Sequence, residues 1–439
     1  MISISHYLNS NTEIGKNIKS RLITYPIGAL CTFLNFYTIG KYYSPQQFNF
    51  ALQFWMFLGI IPIFEYSLGI QVLNQFAVEG NINKSWRRLA ESLRNYTFIG
   101  LPVTFITVTS IYELPWKIIS SYLPMSSAEF KQILSIFLIA AYLSGFSQII
   151  IRVYLGLQQS VLTQYLQLAG MIFSTSLLIF VTLLGGNFNI SIYALLITTI
   201  FPGFLGLLFY NKCFHRSLFR DFSKFCRYIK IRKFESLDDA KTNRGLTLVF
   251  FLMSLFYAAT ILIPRIFASF QSATQLSAYL LVLTSINVVY SVISSISPSL
   301  WIEGLQKEIS KTFIHNRIRT MAIILFACLP FYLVINFIVF STYLNINTFE
   351  SNFIPIVLGY LVLASYAFHI VSSNLLSKNI FQTRLLLMLF LQTLVTILGL
   401  ALGFFEGSII TGIGFILLVH LGLATLPTIY WLLKQDSEI

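Results

Sequence analysis

At 439 residues, 56% hydrophobic and only 10% charged, the chain lies far from soluble domains, in which roughly a quarter of the residues are charged. A formal net charge of +13 raises nucleic acid as a partner, but a nucleic-acid binder gathers its basic residues on a polar face beside a soluble core. No stretch of this sequence offers such a core, so nucleic acid is excluded and an integral membrane protein remains.

The chain opens on a polar stretch, MISISHYLNSNTEIGKNIKS, and no small-residue cleavage site follows the first apolar run, which is therefore expected to stay as a span. Counting mostly apolar runs of roughly 18 residues or more predicts about twelve helices. Six are expected at Leu22 to Ile39, Phe50 to Ala77, Tyr96 to Trp116, Ile133 to Leu157, Leu162 to Leu184 and Ile190 to Tyr210. After a long polar loop, six more are expected at Leu246 to Phe267, Ala273 to Ile296, Met321 to Phe340, Phe353 to Leu376, Leu385 to Phe404 and Ile409 to Leu433. Within hydrocarbon only helices or closed barrels satisfy their backbone groups, and these runs lack the alternation and short length of barrel strands. The expected fold is all-α, with two six-helix bundles around a central cavity.

Lysine and arginine accumulate in cytoplasmic loops. If the N-terminus is inside, only Lys41, Lys117, Lys131 and Arg265 of the 29 Lys and Arg fall outside. Both termini are thus expected in the cytoplasm. One missed span would scramble every later loop, so this asymmetry also supports the helix count.

The second run carries Glu65 near its middle, where a carboxylate costs roughly 2.5–3.5 kcal/mol on insertion scales. It is expected to face a cavity or a buried ionic partner. Gln71, Asn74 and Gln75 make a polar exit from this run, and Lys84, Arg87, Arg88 and Arg94 follow in a basic loop.

The connection from Asn211 to Arg244 is the most basic, NKCFHRSLFRDFSKFCRYIKIRK, with aromatic residues threaded between the charges. That pattern suits either an amphipathic segment on the anionic inner leaflet or a topogenic linker. It divides the chain into residues 1–211, a linker 212–245 and residues 246–439. An even number of helices in each half gives the halves one orientation, related by an axis along the membrane normal. Proline recurs in the spans, at Pro26, Pro62, Pro102, Pro202, Pro264, Pro330 and Pro355, which fits bent helices around a cavity as well as ordinary membrane-helix usage.

Arg152 ends the fourth run, where snorkelling to headgroups competes with an inward-facing role. Arg265 stands against the positive-inside tendency at the outer end of the seventh run, which leaves a functional role open. Asn35, Gln53, Asn74, Gln148, Gln167, Asn287, His369 and His420 are further polar points, expected mostly as interhelical hydrogen bonds worth about 0.6 kcal/mol each. A histidine such as His369, taken alone, is more often structural than a proton relay. Cys31, Cys213, Cys226 and Cys328 have no spacing of a disulfide or zinc framework, so reduced thiols and no metal site are expected. There is no P-loop, no HExxH and no acidic pair at matching spacing, so no catalytic residue is assigned.

Three passages carry a family resemblance: IFEYSLGIQVLNQFA (Ile63 to Ala77), IRVYLGLQQSVLTQYLQ (Ile151 to Gln167) and IPRIFASFQSATQLSAYLLVL (Ile263 to Leu283). With the six-plus-six topology, the chain resembles the multidrug/oligosaccharidyl-lipid/polysaccharide exporter superfamily, and within it the O-antigen flippases. It departs from the pattern at Glu65, where aspartate is usual, and at Pro264, where an acid often precedes the basic residue of the seventh helix; the second departure puts cation coupling at that site in doubt.

The resemblance implies that an undecaprenyl-pyrophosphate-linked O-antigen unit moves from the cytoplasmic to the periplasmic leaflet of a bacterial inner membrane. The expected partners are that lipid-linked oligosaccharide, membrane lipids and other O-antigen assembly proteins. Arg21 and Arg152 are the expected headgroup ligands at the inner mouth, Arg265 acts at the outer end, Glu65 is a gating or proton-coupled group, and Asn35 and Asn74 line the path. No cofactor is expected, and coupling to a proton or a sodium gradient stays open. A drug antiporter of the same superfamily is the nearest alternative. An O-antigen polymerase or ligase would need a substantial periplasmic loop, whereas every outside loop here is short.

Overall fold

The computed structural model describes residues 13–58, 69, 72–73, 76, 89, 92–94, 96–102, 105–106, 127–157, 159–214, 252, 256, 278–279, 281–283, 285–286, 289, 311–343, 350–375, 379–401 and 409–434. Helices dominate these residues, and each of the twelve expected spans contains described residues in helical conformation. The chain divides into two units, Met1–Phe251 and Leu252–Ile439.

The first unit holds α1 (Glu13–Tyr42), α2 (Pro45–Leu58), a π-helical segment Tyr96–Gly100, α3 (Ser127–Gly156), α4 (Ser160–Leu183) and α5 (Phe188–Phe214). The second holds α6 (Lys311–Tyr343), α7 (Phe353–Leu375), α8 (Asn379–Ala401), α9 (Ile409–His420), a π-helical segment Leu421–Thr425 and α10 (Leu426–Lys434). Among the described residues, 7 helices are long and apolar enough to cross a membrane, the last running through α9 and α10. Large apolar side chains stand outward along them, Phe326 at 80% exposure and Leu208 at 78% among them. Water would not tolerate so much exposed hydrocarbon, and a bilayer covers it. The chain is an all-α, multi-pass membrane protein.

Several helices run beyond their apolar stretches. α6 begins at Lys311, not at Met321, and α1 begins at Glu13, not at Leu22. Hydropathy sees only the part inside hydrocarbon, whereas the backbone ladder continues through polar residues into the headgroup layer. For the same reason 211–214, expected to open the central loop, continue α5. The rest of that loop lies outside the described residues.

Turn chemistry explains the elements' ends. Ser44 and Gln47 form a reciprocal capping box at the start of α2: Gln47 N–H donates to Ser44 Oγ at 3.3 Å, and Ser44 N–H donates to Gln47 Oε1 at 3.0 Å. Pro45 occupies the first helical position, where its missing N–H is no loss. α4 closes in a Schellman arrangement, with Gly186 N–H on the Val181 carbonyl at 2.9 Å and Gly185 N–H on Thr182 at 3.1 Å. Gly185 takes φ 74°, which a side chain would oppose. Asn187 then caps α5, its Oδ1 accepting from Ile190 N–H at 3.1 Å. Tyr43 ties the two turns together, donating to the Gly186 carbonyl at 3.1 Å and lying 2.6 Å from Ser191 Oγ.

Helices in lipid approach closely where residues are small, because no hydrophobic force drives them together. Gly203 of α5 lies against Ser147 of α3, whose Oγ accepts the Gly203 N–H at 2.9 Å. Pro202, just before it, interrupts the α5 ladder, and this cross-helix bond supplies one replacement. Tyr154 of α3 donates to the Gly206 carbonyl one turn further on. Ser174 of α4 donates to the Ala194 carbonyl of α5 at 2.7 Å. In the second unit Tyr332 of α6 donates to the Ile356 carbonyl of α7 at 3.0 Å.

Candidate functional site

The buried face of α1 carries a series of polar residues, interspersed with the buried Cys31, Phe36 and Ile39. Ser20, Thr24, Thr32, Asn35 and Thr38 are all buried, at the three- and four-residue steps of one helical face. Its neighbour α4 buries Gln164, Ser174, Thr175 and Thr182. A Cβ on Gly28 would meet Met171 Sδ at 3.4 Å, and Thr175 Oγ1 donates to the Cys31 carbonyl at 3.5 Å. The two helices therefore run parallel, which sets Arg21 level with Gln164.

Thr32 of this face is satisfied within its own helix, and several of the other polar groups are not. Thr32 Oγ1 bonds its own helix at Gly28 O, 3.0 Å away. Ser20 Oγ, Arg21 Nε, Thr24 Oγ1 and Asn35 Oδ1 are buried with no hydrogen-bond partner among the described residues. Each such atom costs about 1–3 kcal/mol where neither protein nor solvent satisfies it. A run of them along one helix is suited to water or to a hydroxyl-rich, anionic guest.

Arg152 lies half-buried on α3, between the buried residues Ile151 and Val153. The α3–α4 turn, tightened by Gln159 N–H on the Tyr154 carbonyl at 2.8 Å, folds these helices into a hairpin. Arg152 precedes the turn by about as many residues as the Arg21 level follows it, so both cations occupy the same layer at the same end of the unit. Asn35 is 1% exposed and stands about 21 Å further along α1. Arg21 and Arg152 thus share one end, and Asn35 lies deeper on the same helix. Glu65, Asn74 and Arg265 lie outside the described residues.

A second polar group sits in the other unit. Ser365, His369 and Ser372 of α7, His420 at the end of α9, and Thr425 and Thr428 beyond it are all buried. Sequence reading set His369 and His420 apart as single hydrogen-bonding points, because nothing in a helical period shows that two distant spans will face each other. Among the described residues no cluster of three or more His, Cys, Asp or Glu could hold a metal ion. Cys31 and Cys328 are free thiols.

The helices, their apolar outward faces and the buried polar stripes together define a polytopic membrane protein with two helical units. No family model and no curated protein matches the chain. Among solved structures it is similar to the inward-facing conformation of a multidrug resistance MATE family transporter of the MOP superfamily, at 15% identity over 94% of each chain with a TM-score of 0.60. It is similar to a MATE protein in complex with MaD5, at 16% identity over 98% of each chain with a TM-score of 0.63. The outward-facing conformation of a multidrug resistance MATE transporter matches at 15% identity over 99% of this chain and 98% of that one, with a TM-score of 0.60. At these identities the likeness is one of fold: the chain has the fold of MATE family transporters.

Proposed function

We propose that this protein is a flippase that carries an undecaprenyl-pyrophosphate-linked O-antigen unit from the cytoplasmic to the periplasmic leaflet of the bacterial inner membrane, by alternating access of its two units. The transporter fold supports a substrate path, and the observation that carries the choice of substrate is the α1 face. A sugar headgroup offers many hydroxyls to Ser20, Thr24 and Asn35, and a pyrophosphate offers charge to Arg21 and Arg152 through their forked guanidinium groups. Beyond Glu13, α1 has no acidic residue, so this face has nothing to hold a cationic drug. The polyprenyl tail stays in lipid beside the outward apolar side chains.

Both termini lie in the cytoplasm on this reading, as the loop charges require. Two negative charges moving outward down an inside-negative potential gain roughly 2.3 kcal/mol each per 100 mV, which biases the direction. Arg265 acts at the outer mouth, and Glu65 and Asn74 belong to the path through the second span. Membrane lipids and O-antigen assembly proteins are the further partners, and the transport cycle needs no cofactor. The multidrug MATE neighbours favour one alternative, a drug antiporter of the same superfamily.

Complementation of a flippase-deleted bacterium separates the two. Wild type restores surface O-antigen, and Arg21→Ala and Glu65→Gln at matched membrane abundance lose it while lipid-linked units accumulate inside. If no matched host recovers O-antigen but drug resistance rises, the antiporter replaces the flippase.

A further inference from the structure

Hydrogen bonds between the helices of the second unit fix which of their ends lie together. Tyr332 of α6 donates to the Ile356 carbonyl and Tyr360 of α7 donates to the Leu325 carbonyl, so α6 and α7 run antiparallel. Ser365 Oγ and Thr425 Oγ1, 2.8 Å apart, close a triangle on Nδ1 of His420. Thr428 Oγ1 lies 3.5 Å from Nδ1 of His369, so the α9–α10 span runs parallel to α7. A short connection, residues 376–378, joins α7 to α8. One end of the unit therefore gathers the start of α6, the end of α7, the start of α8 and the end of α10.

At this end the guanidinium of Arg384, on α8, lies over the ring of Trp431, on α10, 5.8 Å from its centroid. Lys434 follows Trp431 by three residues and is its neighbour on the helix surface. Neither α8 nor α10 contains an acidic residue. Among the described residues of the unit the one carboxylate is Glu350, which precedes α7 at the opposite end. Each cation also heads an apolar stripe. Leu387, Leu391, Leu394 and Leu398 follow Arg384 along one exposed face of α8, and Leu426 and Tyr430 lead to Lys434 along one exposed face of α10. α8 packs along α9 and the π-helical segment but only sparsely along α10, so a wedge opens between them, spanned by the Arg384–Trp431 pair.

An Arg or Lys at the end of a span ordinarily reaches to whatever headgroup is near. Here the guanidinium rests on a ring of another helix, which fixes its plane and leaves its edge donors for a bidentate bond to phosphate. The α8 stripe from Leu387 to Leu398 rises about 16 Å, close to the roughly 15 Å depth of one leaflet's hydrocarbon. Two stripes, each headed by a cation and flanking one indole ring, match a lipid with two acyl chains and one anionic headgroup. A polyprenyl lipid has a single chain and would leave one stripe bare.

We propose that the wedge between α8 and α10 binds one anionic phospholipid, its phosphate held by Arg384 and Lys434 beside the Trp431 ring and its acyl chains lying along the two stripes. That this lipid belongs to the cytoplasmic leaflet rests on the orientation given above; the site itself is independent of what the protein transports. The bound lipid ties the start of α8 to the end of α10, where the two helices have little packing of their own.

The test titrates the full-length protein in detergent with phosphatidylglycerol or phosphatidylcholine, read by native mass spectrometry. Wild type should bind one phosphatidylglycerol about tenfold or more tighter than phosphatidylcholine, whose choline cation Arg384 and Lys434 repel. Arg384→Ala should weaken phosphatidylglycerol about tenfold, the worth of one charge-assisted bond. Arg319→Ala, which removes an exposed cation of α6 at the same end, should leave it unchanged. Equal losses in the two variants, or equal affinity of wild type for the two lipids, mean diffuse attraction and overturn the site. Undecaprenyl phosphate should not displace the bound phosphatidylglycerol; displacement gives the wedge to the polyprenyl lipid and overturns the proposal while leaving the transport reading standing. If Arg384→Ala is not recovered folded, tryptophan fluorescence of wild type in liposomes decides. Phosphatidylglycerol with brominated chains, as a minor component, should quench a contribution that Trp431→Phe lacks, and more strongly than brominated phosphatidylcholine does. Equal quenching by the two overturns the site.

Discussion

Replacing Gly203 by alanine tests the close crossing of α3 and α5. The added Cβ would fall 2.6 Å from Ser147 Cβ and inside contact with Ser147 Cα and Oγ. Ordinary carbon contacts lie at about 3.5–4 Å, so α3 and α5 must part by about 1 Å. Overpacking of this kind costs about 1–3 kcal/mol, and losing the Gly203 N–H bond to Ser147 adds about 0.5–1.5 kcal/mol. A total of about 2–4 kcal/mol is expected, read as reversible unfolding in bicelles or as a fall in Tm in detergent. Because Ser147 Cα is among the clashing atoms, shortening the side chain in Ser147→Gly should not rescue Gly203→Ala. At Gly399 the opposing group is the Phe415 ring, which can swing, and Phe415→Leu should rescue Gly399→Ala. A Gly203→Ala protein within about 0.5 kcal/mol of wild type, or rescue by Ser147→Gly, would refute the close crossing.

Asn35→Leu removes a buried amide oxygen that has no partner among the described residues, so stability should hold or rise by about 1 kcal/mol while O-antigen export falls; a loss of stability above about 2 kcal/mol would make Asn35 structural. Gly185→Ala places a side chain at φ 74° in open space and should cost about 1 kcal/mol of strain alone, seen as a small drop in melting temperature. Tyr43→Phe removes the hydroxyl shared by Gly186 and Ser191 and should cost about 1 kcal/mol in the same assay, with an unchanged melting temperature counting against the tie between the two turns. Ser44→Ala should cost about 1 kcal/mol by opening the cap of α2.

Much of the fold was legible in the sequence. An apolar run has one way to satisfy its backbone in hydrocarbon, so the spans and their helical state follow from composition and length. That is why Phe353 to Leu376 and the observed Phe353–Leu375 differ by one residue. The capping residues Ser44 and Asn187 were legible in principle too, since both act on groups within three positions of themselves. Helix ends were not, because α1 and α6 continue into polar residues that hydropathy discounts. Arg21, Arg152 and Asn35 could be chosen from the sequence because charge and amide groups are conspicuous in apolar surroundings. That Arg21 and Arg152 share one layer depends on the α3–α4 hairpin and on the parallel register of α1 and α4. The triangle of Ser365, Thr425 and His420 was beyond the reach of periodicity altogether. A helical repeat specifies which residues share a face of one helix, and only packing decides which face of a distant helix they meet.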